Sequence, residues 1–454
     1  MSEGEERGKA APRRLYNSES LEMNIMASTA IRRCVSRLDL SRSSIGFGRL
    51  FSSSSSSSAS SSSVAASADA AADLSFSEHE NLDLPQRILM STGPSNTHPR
   101  ALAAQAYAQV GHMHDVFFPL LDDIKEQLQH LFQTKSPYTL AISGGGHSAM
   151  ETMVANLLED GDKMLVCVNG IWGERIVEIG KRYGVNILTT KVPLGKTFSV
   201  EQIESVISMH KPKAVFLCHG ESSTGVVQSL DGMAKVCRKH GALLLVDGVC
   251  TLGGIPFQAD EMGVDCMYAG SQKCLSAPPG ASPMFLSERA MDVVRSRKTL
   301  PRTYNYDLEE LGNYWGWFGN ERRTYHHTPP IGTFYALREA LTITRDEGLE
   351  NVWTRHKNLQ MMLWDGLRKL DLEPFVEKEC DRLVTVNTIK IPEGVDWKKV
   401  CEHAMATKNL EIGGGLGPTM GKVFRIGIMG YNARPENIAL TINAFRDGLQ
   451  AARK

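Results

Sequence analysis

The sequence predicts an α/β fold with a large domain built on a doubly wound, mostly parallel sheet, followed by a smaller C-terminal α+β domain. From about Arg100 to Arg345, short apolar runs of strand length alternate with amphipathic helical stretches. Beyond about Gly348 the pattern changes to a long helix, a strand and a last helix. The change in pattern indicates a second, smaller unit after the main sheet.

The length of 454 residues exceeds what one ordinary hydrophobic core holds, so we expect two domains and a tail. We assign residues 1–80 to a disordered targeting segment, 81–99 to an extended arm, 100–347 to the large domain and 348–454 to the small domain. The predicted strands of the large domain are 139–143, 163–168, 214–218, 243–246 and 267–269, with helices between them that include 148–158 and 173–183. The predicted elements of the small domain are a helix over 351–369, a strand over 383–391 and a helix from about Pro435.

The composition excludes several classes of partner. The formal net charge is −1, so nothing favours nucleic acid or an anionic membrane. No apolar run approaches the roughly 18 residues that span a bilayer, so we expect no membrane partner. The nine cysteines contain no C-x-x-C pair, which favours reduced thiols over disulfides and predicts no metal site.

The segment 23–51 contains five arginines and a single acidic residue, Asp39, and is followed by a serine-rich run. This composition is typical of a mitochondrial transit peptide and predicts the mitochondrial matrix. A merely disordered basic tail is the alternative. The first 22 residues contain five glutamates, so initiation at Met23 would expose the signal, and the cytosol is the alternative location for a chain starting at Met1. A peroxisomal location is also an alternative, although residues 452–454 differ from a Ser-Lys-Leu-type signal at the last position.

Two charged residues, Asp247 and Lys273, stand near the ends of the stretch 246–280. The apolar run before Asp247 places a carboxylate at the C-terminal edge of a buried strand. Lys273 lies between small residues and an Ala-Pro-Pro-Gly turn, and a desolvated lysine can lose its proton, as Schiff-base chemistry requires. Pyridoxal phosphate needs a lysine for its aldehyde and a carboxylate for its pyridinium nitrogen. The alternative is a solvated surface lysine.

Three further segments follow predicted strands. The turn Gly144-Gly145-Gly146-His147 opens a helix and suits a phosphate, but it matches neither a dinucleotide fingerprint nor a P-loop. Trp172 can lie on an aromatic ring, or it can be a core tryptophan. Ser222 can donate a hydrogen bond to a phenolic oxygen or a phosphate, or it can cap the next turn.

Taken together, the motifs resemble those of class V, fold type I pyridoxal-phosphate aminotransferases over residues 84–451. The motifs are the glycine turn with His147, GIWG (170–173), HGESSTG (219–225), VDxVxxLGG (246–254), GSQKxLxAPPG (270–280), YHHT (325–328) and RIGxxG (425–430). Within the family they are most similar to alanine–glyoxylate and serine–pyruvate aminotransferases. The resemblance implies a fold type I transferase that is a homodimer with shared active sites and acts on amino acids and 2-oxo acids.

The resemblance also implies individual roles. Lys273 is implied as the Schiff-base lysine and acid/base, Asp247 as the partner of the pyridinium nitrogen and Trp172 as the stacking ring. The remaining implied cofactor contacts are Gly145, Gly146, His147, Ser222 and Gln272, with Tyr325 and Thr328 from the neighbouring subunit. The implied substrate contacts are Arg425, Gly93 and Ser222. The guanidinium of Arg425 also has the geometry that binds a carboxylate through two hydrogen bonds.

The implied reaction transfers the amino group of L-alanine or L-serine to glyoxylate or pyruvate. A kynurenine or 3-hydroxykynurenine transaminase is the first alternative, because related members accept such donors. A cysteine desulfurase is the second, but Gln272 stands before Lys273 where desulfurases usually have histidine. A third alternative, a protein that binds the cofactor without turnover, does not explain why Lys273, Asp247 and Arg425 occur together.

Overall fold

A computed structural model describes residues 83–320 and 322–452, so the predicted targeting segment lies outside the described residues. The strands are β1 Ile88–Leu89, β2 Thr139–Ser143, β3 Lys163–Val168, β4 Asn186–Lys191, β5 Ala214–Cys218, β6 Gly220–Glu221, β7 Val226–Val227, β8 Leu243–Asp247, β9 Cys266–Tyr268, β10 Ala281–Leu286, β11 Val386–Lys390, β12 Leu410–Glu411, β13 Gly413–Gly414 and β14 Val423–Gly427.

Helices connect these strands and cover the sheets. They are α1 Pro99–Ala104, α2 Phe118–Phe132, α3 Gly146–Leu157, α4 Ile171–Arg182, α5 Val200–His210, α6 Met233–Lys239, α7 Ala259–Met262, α8 Glu288–Arg295, α9 Leu308–Trp315, α10 Ile331–Glu347, α11 Leu349–Arg368, α12 Trp397–Lys408 and α13 Pro435–Ala452. Within the described residues, no helix is long and apolar enough to cross a bilayer. The eight cysteines described there are free thiols, as predicted.

The central sheet has seven strands in the order β2-β10-β9-β8-β5-β3-β4, and only β10 runs antiparallel to its neighbours. The predicted mostly parallel sheet is therefore confirmed, and all five predicted strands are present within one residue of their predicted ends. Sequence reasoning missed β4 and β10. The strand β4 lies at the sheet edge, and most of its polar side chains are exposed. The strand β10 contains Pro283, which argues against a central strand.

The C-terminal part contains a second hydrophobic core between the three-stranded sheet β11-β14-β13 and the helices α11, α12 and α13. The predicted helix 351–369, strand 383–391 and last helix are confirmed, although the strand is shorter than predicted. The arm 81–99 is not only a connecting segment, because its strand β1 pairs in parallel with β12. The boundary between residues 347 and 348 stays a prediction; Gly348, with φ +85°, separates α10 from α11 there.

Parallel strands place the side chains that follow them at one edge of the sheet. Asp247 ends β8, with Cys218 of β5 and Tyr268 of β9 beside it in register. The glycine turn follows β2, and the turn that contains Lys273 follows β9. The sheet therefore brings these segments to the same edge, although the glycine turn and Lys273 are more than 100 residues apart in the sequence.

Candidate active site

Lys273 is held by the N-terminal arm. Its Nζ donates a hydrogen bond to the carbonyl of Thr92, and Gly93, with φ +101°, lies directly against the lysine side chain. The hydroxyl of Ser95 donates to the carbonyl of Lys273 at 2.9 Å, and its amide donates to the carbonyl of Gln272 at 2.8 Å. The arm and the lysine turn therefore form one hydrogen-bonded unit, which orients the amino group.

Asp247 is a buried carboxylate that accepts hydrogen bonds from two donors. Its Oδ2 accepts from the Tyr268 hydroxyl at 2.6 Å, and its Oδ1 accepts from the amide of Val249 at 2.8 Å. Burial raises the pKa of Asp247 to about 6, opposed by these two hydrogen bonds and by the charge of Lys273. At neutral pH the carboxylate is ionised, and a cation placed against it would gain a strong electrostatic partner.

Trp172 and Ser222 are joined at the same edge. The indole Nε1 donates to the Ser222 hydroxyl at 2.8 Å, and the His147 ring meets the indole edge-on at a centroid distance of 5.8 Å. Desolvation and the charge of Arg175 lower the pKa of His147, so the imidazole is favoured in its neutral form. The structure thus brings together the predicted residues Trp172, Ser222 and His147 with defined orientations.

Arg425 lies on β14 and is only 8% exposed. Its Nε donates to the carbonyl of Gly414 at 2.6 Å, and its Nη1 donates to the carbonyl of Ser222 at 3.2 Å. Burial lowers its pKa, opposed by the nearby Cys250 and Glu221. Both partners are neutral carbonyls, so a carboxylate would supply the missing counter-charge.

The glycine turn has the form of an anion site. Gly144 has φ +145°, and a Cβ there would overlap the Ser148 side chain. Gly145 is extended and caps α3, with open space beside it. A Cβ at Gly146 would lie 3.2 Å from Val249 Cγ2, so the turn also approaches the segment that follows Asp247. The N-terminus of a twelve-residue helix thus lies next to open space at Gly145 and has no side-chain cap, which suits a phosphate.

The predicted residues Tyr325 and Thr328 are exposed, and both contact His112. The Thr328 hydroxyl lies 3.2 Å from His112 Nε2. The neighbouring His327 Nε2 lies 2.6 Å from the hydroxyl of Ser143, the last residue of β2 before the glycine turn. The YHHT segment therefore borders the anion site of its own chain, while the side chains of Tyr325 and Thr328 point to the surface.

Comparisons with known proteins agree with this geometry. The family model described as Aminotransferase class-V matches residues 84–438. The chain is 44% identical over 369 residues to an alanine–glyoxylate aminotransferase of Callithrix jacchus, covering 81% of this chain and 89% of the relative. The chain belongs to the class V aminotransferase family. A crystal structure of an alanine–glyoxylate aminotransferase from Nostoc sp. superimposes with a TM-score of 0.80 at 43% identity, covering 82% of this chain and 97% of that one. The (S)-ureidoglycine–glyoxylate transaminase of Bacillus subtilis is 34% identical over 384 residues, covering 81% of this chain and 91% of the relative.

This class V aminotransferase has the fold type I architecture that the motifs implied, and it depends on pyridoxal phosphate. The structure carries two features that fit the cofactor. Gln272 Oε1 and Asn169 Oδ1 are buried without a hydrogen-bond partner, although most buried polar atoms have one. Both residues adjoin segments of the site, so a polar group bound there would satisfy them. No group of three His, Cys, Asp or Glu side chains among the described residues has the geometry of a metal site.

Sequence reasoning missed Glu221, which is buried beneath the Trp172 turn of this class V aminotransferase. Its carboxylate accepts from the amide of Trp172 at 3.0 Å and from the amide and hydroxyl of Ser223 at 2.9 and 2.6 Å. A Cβ on Gly170 would overlap the Glu221 carboxylate, so the glycine of GIWG makes room for it. The only sequence feature that could have indicated a role for Glu221 was its position between a glycine and two serines in HGESSTG. Nothing in the neighbouring sequence indicated that it is buried.

Replacing Gly93 with alanine is expected to lower transaminase turnover on the order of 100-fold, because a Cβ there would displace the Lys273 amino group from its place. Gly161→Ala is the matched control, since Gly161 also has a positive φ, +82°, but has open space around it. The measurement is kcat for both variants together with their melting temperatures. Equal losses of activity in the two variants would attribute the effect to backbone strain and not to the contact with Lys273.

Replacing Glu221 with glutamine is expected to change the pH dependence of stability. Burial raises the pKa of Glu221 to about 7, opposed by hydrogen bonds from Ser223 and Trp172 and reinforced by the charge of Asp247. Its ordinary value is 4.5, so the native state holds its proton more tightly than the unfolded state. Stability from Glu221 is therefore present below pH 4.5 and is lost as the pH rises towards 7, by on the order of 3 kcal/mol.

The glutamine variant does not titrate, so it should gain stability relative to the wild type between about pH 5 and 8. The measurement is the difference in melting temperature between variant and wild-type apoprotein across that range. Glu178→Gln is the control, because Glu178 is exposed on α4. A Glu221→Gln difference that stays constant with pH would show that Glu221 does not titrate in this range.

Proposed function

We propose that this aminotransferase transfers the amino group of L-alanine, or of L-serine, to glyoxylate or pyruvate. With alanine and glyoxylate the products are pyruvate and glycine. The observation that carries the proposal is the 44% identity, over 81% of the chain, to a relative named for this reaction. Asp247 and Lys273 lie at one edge of the central sheet, and Arg425 of β14 reaches the carbonyl of Ser222 near that edge, which supports the proposal.

The residues divide the work of a transamination among them. Pyridoxal phosphate, when bound, supplies the electron sink for the substrate carbanion. Asp247 would hold the pyridinium charge, since an anionic partner favours the protonated ring nitrogen. Lys273 would move the proton at the substrate Cα, a general acid/base contribution typically worth ~10²–10⁴-fold. Arg425 would bind and orient the substrate carboxylate.

The remaining predicted contacts would hold the cofactor. The glycine turn with Gly145 and Gly146 would receive the phosphate, and Trp172 would lie on the ring with its indole fixed by Ser222. Gln272 would supply its free Oε1. Gly93 would leave space for substrate beside Lys273.

The functional unit is a homodimer in which Tyr325 and Thr328 of one subunit complete the cofactor site of the other. Tyr325 is 60% exposed, and a large aromatic side chain beside a binding segment supports a subunit contact. Sedimentation of the purified protein, with and without cofactor, measures this. A monomer that retains full turnover would contradict the shared site.

Substrate choice is tested by comparing kcat/KM for L-alanine, L-serine, 3-hydroxykynurenine, L-cysteine and (S)-ureidoglycine with glyoxylate and with pyruvate. Alanine and serine should be preferred, with glyoxylate as the better acceptor. Sulfide release from cysteine would favour a desulfurase, and a preference for the aromatic or ureido donor would favour the corresponding transaminase. A cofactor absorbance that no amino acid changes would contradict catalysis altogether.

We propose the mitochondrial matrix as the location, on the arginine-rich composition of residues 23–51. Fluorescent fusions that begin at Met1 and at Met23 test it. The Met23 fusion should enter mitochondria, and replacing Arg32, Arg33 and Arg37 with glutamate should block its import. An unchanged cytosolic distribution of both fusions would contradict the proposal.

A further inference from the structure

Tyr268 stands next to Asp247 because of the strand register. The strands β8 and β9 are parallel neighbours, and Asp247 pairs with Tyr268 at their C-terminal ends. The tyrosine side chain is fully buried, and its hydroxyl donates to Asp247 Oδ2 at 2.6 Å. A hydrogen bond that a charged carboxylate accepts is shorter and stronger than one between neutral groups. The contact is therefore built for the ionised form of Asp247.

We propose that Tyr268 is a positioning residue that keeps Asp247 charged and fixed for the cationic ring of the cofactor. The inference rests on the proposed role of Asp247. A carboxylate buried to this degree pays a desolvation cost that favours its neutral form, and a neutral acid cannot pair with a pyridinium. The hydrogen bond from the Tyr268 hydroxyl on β9 stabilises the charged form and so offsets part of this cost. The carboxylate therefore stays ionised before the cofactor binds.

The other groups that face Asp247 do not replace this hydrogen bond. They are Lys273 from the turn after β9, Cys218 from β5, Cys250 from the turn after β8 and Glu221 from β6. Lys273 favours the charged carboxylate, but its Nζ is also hydrogen-bonded to Thr92. Burial raises the pKa of both thiols, so they are neutral, and Glu221 adds negative charge as it ionises. Burial, Asp247, Cys218 and Cys266 raise the pKa of Tyr268 well above 10, so it stays a donor.

The test is the affinity of apoprotein for pyridoxal phosphate in wild type and Tyr268→Phe, measured by quenching of indole fluorescence from pH 5.5 to 9. The ratio of the two dissociation constants should reach on the order of 10- to 100-fold between about pH 6 and 8. The ratio should fall towards 1 at higher pH, where Asp247 ionises in both proteins. A purely structural role for the hydroxyl would give a ratio that does not change with pH, and that result would overturn the proposal.

Tyr138→Phe is the matched control, because Tyr138 is also a buried tyrosine and its hydroxyl accepts from Arg295 Nη2 at 2.8 Å. It lies just before β2, at the strand end opposite to the glycine turn. The ratio for Tyr138→Phe should stay near 1 at every pH.

Asp247→Asn and the double variant Asp247→Asn/Tyr268→Phe separate the two assignments and remain informative if Tyr268→Phe alone fails to fold. With the charge removed, adding Tyr268→Phe should cause no further pH-dependent loss of affinity. A Tyr268→Phe effect of equal size in the Asn background would overturn the role of Tyr268. An Asp247→Asn protein with wild-type affinity at every pH would instead contradict the role of Asp247.

Discussion

Replacing Lys273 with alanine is expected to lower kcat for amino transfer by on the order of 10⁴-fold or more, because the variant loses the group that moves the proton at Cα. The amino group makes its hydrogen bond only to Thr92 within the described residues, so the fold should persist. The measurements are steady-state transamination, the visible absorbance of the cofactor and the melting temperature. The cofactor should remain exchangeable by dialysis in the variant, because its aldehyde has lost its amine.

Lys181→Ala is the control for this experiment. Lys181 is exposed on α4 and pairs with Glu178, also exposed, so its loss should leave kcat unchanged. Addition of small primary amines should restore part of the Lys273→Ala activity, because an exogenous amine can take up the same proton. A Lys273→Ala protein with wild-type kcat would remove Lys273 from the catalytic machinery.

Replacing Arg425 with leucine is expected to lower kcat/KM for L-alanine by on the order of 10²–10³-fold, the cost of leaving a substrate carboxylate without its charged partner. Arg425→Lys keeps the charge but not the two-pronged geometry and should lie between wild type and Arg425→Leu. The measurement compares L-alanine with ethylamine, which has no carboxylate. The preference for alanine should collapse in the leucine variant.

The leucine variant also loses the hydrogen bonds from Arg425 to the carbonyls of Gly414 and Ser222, so its stability must be measured separately. The measurements are the affinity for pyridoxal phosphate and the melting temperature of the apoprotein. A large loss of kcat/KM for both alanine and ethylamine, with an unchanged ratio between them, would assign Arg425 to the structure of the site and not to the carboxylate.

Local sequence signals were sufficient wherever one strand and its following turn define a feature. The apolar run before Asp247 predicted a buried strand, and β8 ends at that residue. The glycines before His147 predicted a strand-to-helix turn, and Gly145 caps α3 there. The small residues around Lys273 predicted a lysine partly withdrawn from solvent, and in the structure Gly93 of the arm lies against its side chain. Burial, strand length and turn chemistry all leave a mark within a few residues of sequence.

Contacts between segments that are distant in the sequence could not be predicted from local sequence patterns. Arg425 reaches Ser222 across 203 positions, and the arm residue Ser95 holds Lys273 across 178. The segment predicted as a connecting arm is part of the C-terminal core, because its strand β1 pairs with β12. Tyr268 lies within the predicted strand 267–269, but only the register of β8 and β9 places its hydroxyl on Asp247.

The sequence by itself determined the fold class, the family motifs, and the lysine and carboxylate expected to meet the cofactor, since each depends on residues close together along the chain. The tertiary structure decided which groups tune that chemistry. The pKa of Asp247, the burial of Glu221 and the neutral partners of Arg425 all follow from desolvation and from hydrogen bonds between elements. The physical reason is that solvent exclusion and strand register are properties of the assembled sheet, and no single segment contains them.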